Sequence, residues 1–336
     1  MRWRRAALLV PWCLLPWAAR VPAEAAVCGP SGLGSPPGEV GTALIFSGGG
    51  AKGAYEAGVA AAFVAKGVPV RLVAGTSAGA LNAALVAAGQ VDLLEETWRR
   101  ITPEQVYHLR PSVFLMGLLP GWLPLWRVNA AGSLFDPSPL RELIDSRLDL
   151  GRVRRSPIRL LIVTADLGRR AKRVFDNESV SVDALMASVA VPGAFPPAVV
   201  DGALLFDGGL TGRAPILDAL ESAVDVRRAV VIMSYAEGER GSPPTTIRRA
   251  LEAAFEMGMT TQITRDVELA RFRYPQMEIH LLTPTAPLDL RPLQFEPSAL
   301  ARVLEQGKAD GLACLAELGG STRPQGSPPT SGGYPR

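Results

Sequence analysis

The 336-residue chain predicts an α/β fold in three layers, a mostly parallel central sheet with helices on both faces. Three observations point there. Short apolar runs of strand length, such as Thr42-Ala43-Leu44-Ile45-Phe46, alternate with longer stretches of helical spacing. The first run leads into Gly48-Gly49-Gly50-Ala51-Lys52-Gly53, and a helical pattern starts at once. The second run, Val70-Arg71-Leu72-Val73-Ala74, ends in Gly75-Thr76-Ser77-Ala78-Gly79, a sharp serine turn opening an Ala- and Leu-rich helix. Strand, Gly loop, helix, strand, turn, helix is how a parallel sheet begins, because parallel neighbours need a crossover of about a helix's length.

Composition fits a globular core, with 48% hydrophobic and 20% charged residues. The first helix shows Tyr55, Val59 and Phe63 on one face and stops at Gly67; the second shows Leu81, Leu85 and Ala88 and stops at Gly89. Residues 102–136 break the pattern. Val113-Phe114-Leu115-Met116-Gly117-Leu118-Leu119-Pro120-Gly121-Trp122-Leu123-Pro124-Leu125-Trp126 is apolar, interrupted by Gly and Pro, and has no clean period. It reads either as a buried irregular segment or as a lid, acyl-chain pocket or lipid-touching surface. The α/β pattern then resumes. Strands are expected at 160–164, 204–207, 229–233 and 278–282, and helices at 183–191, after Pro215, at 245–273 and at 297–318. Arg169-Arg170-Ala171-Lys172-Arg173, the densest basic cluster, reads as a solvated turn, with lipid phosphate as the alternative contact.

Residues 1–25 have the pattern of a signal peptide: Arg2, Arg4 and Arg5, an apolar run, and Ala23-Glu24-Ala25 as a cleavage site. The chain is therefore expected to be exported, to the periplasm, the envelope or the medium. Residues 26–40 read as a linker, 41–318 as one catalytic domain and 319–336 as a disordered tail. Cleavage removes Arg2, Arg4, Arg5, Arg20 and Glu24, and with them the formal net charge of +3. No basic field remains to suggest nucleic acid as a partner. Cys28 and Cys314 remain after Cys13 leaves. They can pair in an oxidising compartment, but nothing in the sequence places them together. The cysteines show no C-x-x-C spacing and no nearby His, so no metal site is expected.

A nucleophilic serine needs a base, N–H donors for an oxyanion and a dry pocket. Ser77 has a turn that exposes it, with Gly75, Thr76, Ala78 and Gly79 around it. Only two His exist to serve as base. His108 lies at the start of the irregular stretch, and His280 lies inside a strand pattern, where its side chain faces a sheet surface. A triad through His280 stays open as an alternative. Asp207 ends a strand and precedes Gly208-Gly209, and strand ends of a parallel sheet gather on one edge. The first Gly-rich loop matches G-x-G-x-x-G, yet no Asp or Glu follows the second strand to hold a ribose, and no Gly-Lys-Ser/Thr makes a P-loop. An oxyanion loop is the reading that remains, with Gly48, Gly49, Gly50, Ala51, Lys52 and Gly53 as its residues.

These three motifs, in this order, resemble the patatin-like phospholipase family, as does Ala187-Ser188-Val189-Ala190-Val191-Pro192-Gly193-Ala194-Phe195-Pro196-Pro197 before Asp207-Gly208-Gly209. The resemblance covers about residues 42–221. It implies a patatin-like α/β/α sandwich, a Ser77–Asp207 dyad without His, hydrolysis of lipid acyl esters at a membrane interface, and no cofactor. A protein that kept the fold and binds lipid without turnover is the other alternative. One departure stands out: the family often carries Asn before the Pro that follows its Asp-Gly-Gly, and this chain has Gly212-Arg213-Ala214-Pro215.

Overall fold

The computed structural model describes residue 28 and residues 41–110, 133–236 and 244–320. The signal peptide, most of the 26–40 linker, the apolar run of residues 113–126 and the tail from 321 onward lie outside the described residues. In chain order the strands are β1 (Thr42–Phe46), β2 (Val70–Gly75), β3 (His108–Leu109), β4 (Phe135–Asp136), β5 (Arg159–Asp166), β6 (Ala171–Phe175), β7 (Ala198–Val200), β8 (Ala203–Asp207), β9 (Arg228–Ile232) and β10 (Glu278–Leu282). The helices are α1 (Gly53–Ala65), α2 (Ala78–Ala87), α3 (Val91–Arg100), α4 (Ser138–Arg147), α5 (Leu150–Arg154), α6 (Val182–Ser188), α7 (Ile216–Glu221), α8 (Ile247–Arg273) and α9 (Pro297–Gly320).

β10, β9, β1, β2 and β5 lie side by side, all parallel. β1 is buried on both faces, which is why it reads as an unbroken apolar run. Its alternation still sorts the layers. Leu44 and Phe46 join the core built with α1, α2 and α9, whereas Ala43 and Ile45 join the core built with α7 and α8. The expected three-layer α/β/α sandwich is present, with a mostly parallel sheet.

The far side of the sheet differs from a purely parallel reading. β6 and β8 both pair antiparallel with the second half of β5, and β7 pairs antiparallel with β8. β2 pairs with β5 only as far as Ile162, opposite Gly75. Asp207 pairs with Thr164, two residues further along β5. The carboxylate thus reaches the serine turn because β8 comes up antiparallel just beyond where β2 stops. The gathering of parallel strand ends does not bring it there. The basic cluster is corrected as well, since its second half is strand β6. Arg169 pairs with Asp166 at 2.9 Å, Lys172 with Asp218 at 2.7 Å, and Arg173 with Asp201. The helix expected at 183–191 stops at Ser188, because the carbonyls of Ser188 and Ala190 accept the N–H groups of Ser77 and Asp207.

Cys28 and Cys314 are joined in a disulfide across a sequence separation of 286. The Cys28 N–H also donates to Glu317 Oε2 at 3.0 Å, on the same helix as Cys314. The bridge closes almost the whole described chain into a loop, which restricts the unfolded ensemble. Adding a thiol reductant, or making Cys314→Ser, is expected to lower the unfolding free energy by about 2–4 kcal/mol. Urea titrations with and without reductant check this, and coincident curves would contradict it.

Candidate active site

Ser77 caps α2 with φ 54° and ψ −136°, a conformation that costs a non-glycine residue energy and survives only where neighbours impose it. Two contacts impose it. The Ser77 N–H donates to Ser188 O at 3.0 Å, and the Thr76 hydroxyl donates to the Arg213 carbonyl. The turn is too tight for side chains at its ends: a Cβ on Gly75 would lie 2.3 Å from Gly79 O. Thr76 and Ala78 are buried, and Ser77 is half-buried and faces a cavity.

The Ser77 hydroxyl lies near enough to the carboxylate of Asp207, which is 5% exposed, to favour its ionised form. Burial pushes the Asp207 pKa up to about 6; the Gly209 N–H, the Ser77 hydroxyl and the charge of Arg213 pull the other way. The Gly209 N–H donates to Asp207 Oδ1 at 2.8 Å, so Gly208-Gly209 holds the carboxylate from behind.

The Gly-rich loop lies alongside, and its N–H groups divide cleanly. Gly48 N–H donates to Glu56 Oε1 at 2.8 Å, Ala51 N–H to Pro292 O at 2.8 Å, and Lys52 N–H to Gly49 O at 3.3 Å. Gly53 N–H bonds back into the turn that precedes it. Only the N–H groups of Gly49 and Gly50 have no acceptor among the described residues. Of the six loop residues named from sequence, these two alone keep N–H groups open to an outside acceptor among the described residues. Gly49 has φ 128°, and a Cβ there would lie 2.6 Å from Ser234 Oγ.

Under the loop is a buried polar network that the motifs do not reveal. Glu56 of α1 is fully buried and accepts from the Ser47 hydroxyl at 3.0 Å as well as from Gly48. Asn82 of α2 donates to Glu56 Oε2 at 3.3 Å and to Gly53 O at 3.0 Å, and accepts from the Trp98 indole at 2.8 Å. Burial pushes the Glu56 pKa up to about 8, against the hydrogen bonds and the charge of Arg213. A lone acid within an Ala- and Gly-rich helix was the available signal. Ser234 and Tyr235 also went unread. They follow β9, beside β1, so the register carries them to Gly48.

The cavity in front of Ser77 has a volume of about 800 Å³. Its lining includes Leu81 and Leu85, one and two turns along α2 from Ser77, together with Val106, Leu140, Ile144 and Phe195. At about 1.5 Å per residue, Leu85 lies about 12 Å along the helix axis from the serine. The pocket is therefore long and lined mainly by apolar side chains along α2; Ser77, Asp207, Gly49, Gly50 and Arg213 meet it at one end, and Asn82, Thr97, Arg147 and Arg291 add polar groups elsewhere in the lining. His280 is on β10, separated from β2 by β9 and β1, and His108 is exposed on β3; neither lines the cavity. Among the described residues, no group of three His, Cys, Asp or Glu is placed to hold a metal ion.

An α/β/α sandwich with a strained serine turn, a buried carboxylate and a Gly-rich loop above a long apolar cavity defines a class of serine-site α/β proteins. The patatin-like phospholipase model matches residues 44–220, just over half of the chain, and the chain belongs to that family. It is 28% identical over 231 residues to an uncharacterized NTE family protein of Mycobacterium tuberculosis, covering 68% of this chain and 59% of that protein. It is also 28% identical over 264 residues to the uncharacterized protein YqhO of Bacillus subtilis, covering 70% of this chain and 86% of that one. Among solved structures, VipD from Legionella pneumophila overlaps with a TM-score of 0.44 at 15% identity, over 84% of this chain and 68% of that one.

Replacing Glu56 with Ala would leave the Gly48 N–H and the Asn82 amide without their buried acceptor. The expected cost is about 2–4 kcal/mol of unfolding free energy. A chemical denaturation midpoint equal to wild type would show that the network does not hold the loop.

Proposed function

We propose that the protein is a lipid acyl hydrolase in which Ser77 is the nucleophile and Asp207 its base. The observation that carries this is that Ser77 and Asp207 line one cavity with Gly49 and Gly50, whose N–H groups have no acceptor among the described residues. Family membership supports lipid esters as the substrate class, and the long apolar cavity suits an acyl chain.

In this reading Ser77 Oγ bonds to the ester carbonyl carbon while its proton passes to Asp207. Negative charge collects on the former carbonyl oxygen, where the Gly49 and Gly50 N–H groups receive it. The C–O bond to the alcohol then breaks, the alcohol leaves with the proton from Asp207, and the acyl group remains on Ser77. Water, giving its proton to Asp207, attacks the acyl-enzyme; the bond from the acyl carbon to Ser77 Oγ then breaks, Ser77 Oγ takes the proton back from Asp207, and the fatty acid leaves. Asp207 accepts a proton only when ionised. Below its pKa of about 6 it is protonated, so activity falls as pH drops through that value.

Ser77→Ala and Asp207→Asn are each expected to reduce turnover of a short-chain fatty ester by at least about 10³-fold. Fluorophosphonate labelling of wild type should map to Ser77, whereas a protein that only binds lipid leaves the probe unreacted. The acid limb of kcat/KM should have its midpoint near 6. His280→Ala should retain near-normal turnover, because that ring is remote from the cavity; a loss as large as that of Ser77→Ala would restore the triad reading.

Export through residues 1–25 belongs to the same proposal, and the Cys28–Cys314 disulfide supports an oxidising destination. Protein purified from the extracytoplasmic fraction of its host should begin at Ala26 on N-terminal sequencing; a start at Met1 would remove the cleaved-signal reading.

A further inference from the structure

Arg213 occupies the loop where the family often carries Asn, and it is 3% exposed. Three segments meet on it. Its carbonyl accepts from the Thr76 hydroxyl, one residue before Ser77. Its Nη2 donates to Ser234 Oγ at 3.3 Å, and the Ser234 hydroxyl donates to Gly48 O at 2.6 Å. The same Nη2 would lie 2.7 Å from a Cβ on Gly49, so the guanidinium is packed against the Gly-rich loop. Its plane rests on the Tyr235 ring, 4.2 Å from the centroid, and Lys52 Nζ sits 3.8 Å from that centroid.

We propose that Arg213 is a positioning residue that locks the serine turn, the Gly-rich loop and the Asp207 segment together and sets a fixed positive charge beside all three. The inference rests on the Ser77–Asp207 reading. A guanidinium stays charged at every working pH. In the resting site its charge favours the ionised form of Asp207. When Asp207 takes the Ser77 proton, the negative charge moves toward Gly49 and Gly50, against which the same guanidinium is already packed. One fixed cation therefore serves the charge before and after the transfer without moving. An Asn in this loop can make hydrogen bonds but supplies no charge.

The surroundings of Asp207 single out Arg213 as the charge that matters there. The serine turn and the segment 189–195 carry no charged side chain, and Thr164, opposite Asp207 on β5, is neutral. Asp166 further along β5 is paired with Arg169, Glu56 of α1 bonds to Ser47 and Gly48, and Lys52 lies on Tyr235. The charge of Arg213 is also among the influences that favour the ionised form of Asp207.

The test compares wild type, Arg213→Met, Arg213→Lys and Ser234→Ala on a short-chain neutral p-nitrophenyl ester, with rates followed down the acid limb. Fluorophosphonate labelling of Ser77 in wild type is measured first. No label there overturns the dyad reading and this inference with it. Given labelling, Arg213→Met should move the acid-limb midpoint up by about one unit. Its kcat should fall roughly 10- to 100-fold while KM stays within about threefold. Arg213→Lys should bring the midpoint back and recover at least about tenfold of the lost kcat, since it restores the charge. Ser234→Ala should lower kcat and leave the midpoint alone, because it cuts only the link to Gly48. If Arg213→Met does not fold, by circular dichroism, the Lys and Ser234 variants carry the same split. Three results would overturn the inference: a profile unchanged in the folded Met variant, a rise in KM at constant kcat, or a Lys variant whose midpoint shifts as far as expected for Met.

Discussion

In the proposed mechanism a carboxylate beside a serine hydroxyl must be dry enough to be basic and still ionised near neutrality, and that constraint falls on Asp207. Burial alone would carry the acid too far, because an uncompensated charge in a dry site gives up its ionisation. Three influences offset that burial: the Gly209 N–H, the Ser77 hydroxyl and the Arg213 charge. Each comes from a different segment. The antiparallel approach of β8, the strained serine turn and the loop before α7 are all needed for one group to have a useful proton affinity. The α/β/α sandwich supplies the rigidity that holds Ser77 at φ 54°.

Much of this site was legible because it is local. The serine turn and the Gly-rich loop each lie within six consecutive residues, and both connect a strand to a helix. Asp207 was legible as a strand-end acid before two glycines, although the geometric reason was different: β8 runs antiparallel to β5. Antiparallel pairing at the far side of the sheet is a non-local choice, and period and composition do not record it. The basic run at 169–173 illustrates the same limit. Its charges suggest a solvated turn, yet three of them meet carboxylates at Asp166, Asp201 and Asp218, one of them close in sequence and two remote. α3 is a simpler omission: Leu94 and Trp98 stand four apart and are both buried, a spacing that marks a helix face.

What the sequence hid is the support of the site. Glu56, Asn82 and Trp98 lie on three successive helices and join into one network only because those helices pack on the same face of the sheet. Ser234 and Tyr235 reach the Gly-rich loop through the β1–β9 register. The Cys28–Cys314 bridge depends on where the last helix ends up. In each case the residue type was visible and its partner was not, since the partners stand between 16 and 286 positions away.

The two buried acids differ in how far burial raises them. Burial pushes Asp207 up to about 6 and Glu56 higher, to about 8, so near neutrality Glu56 favours its protonated form more than Asp207 does. The floor under Gly48 is then neutral. In the proposed mechanism this matters, because an oxyanion forming at Gly49 and Gly50 would be opposed by a second negative charge close beneath the loop. Burial of Glu56 thus does more than fill space in α1. It lets an acid hold the Gly48 N–H and the Asn82 amide while contributing no charge against the oxyanion. The site gains a firm loop from a residue type that would otherwise weaken it.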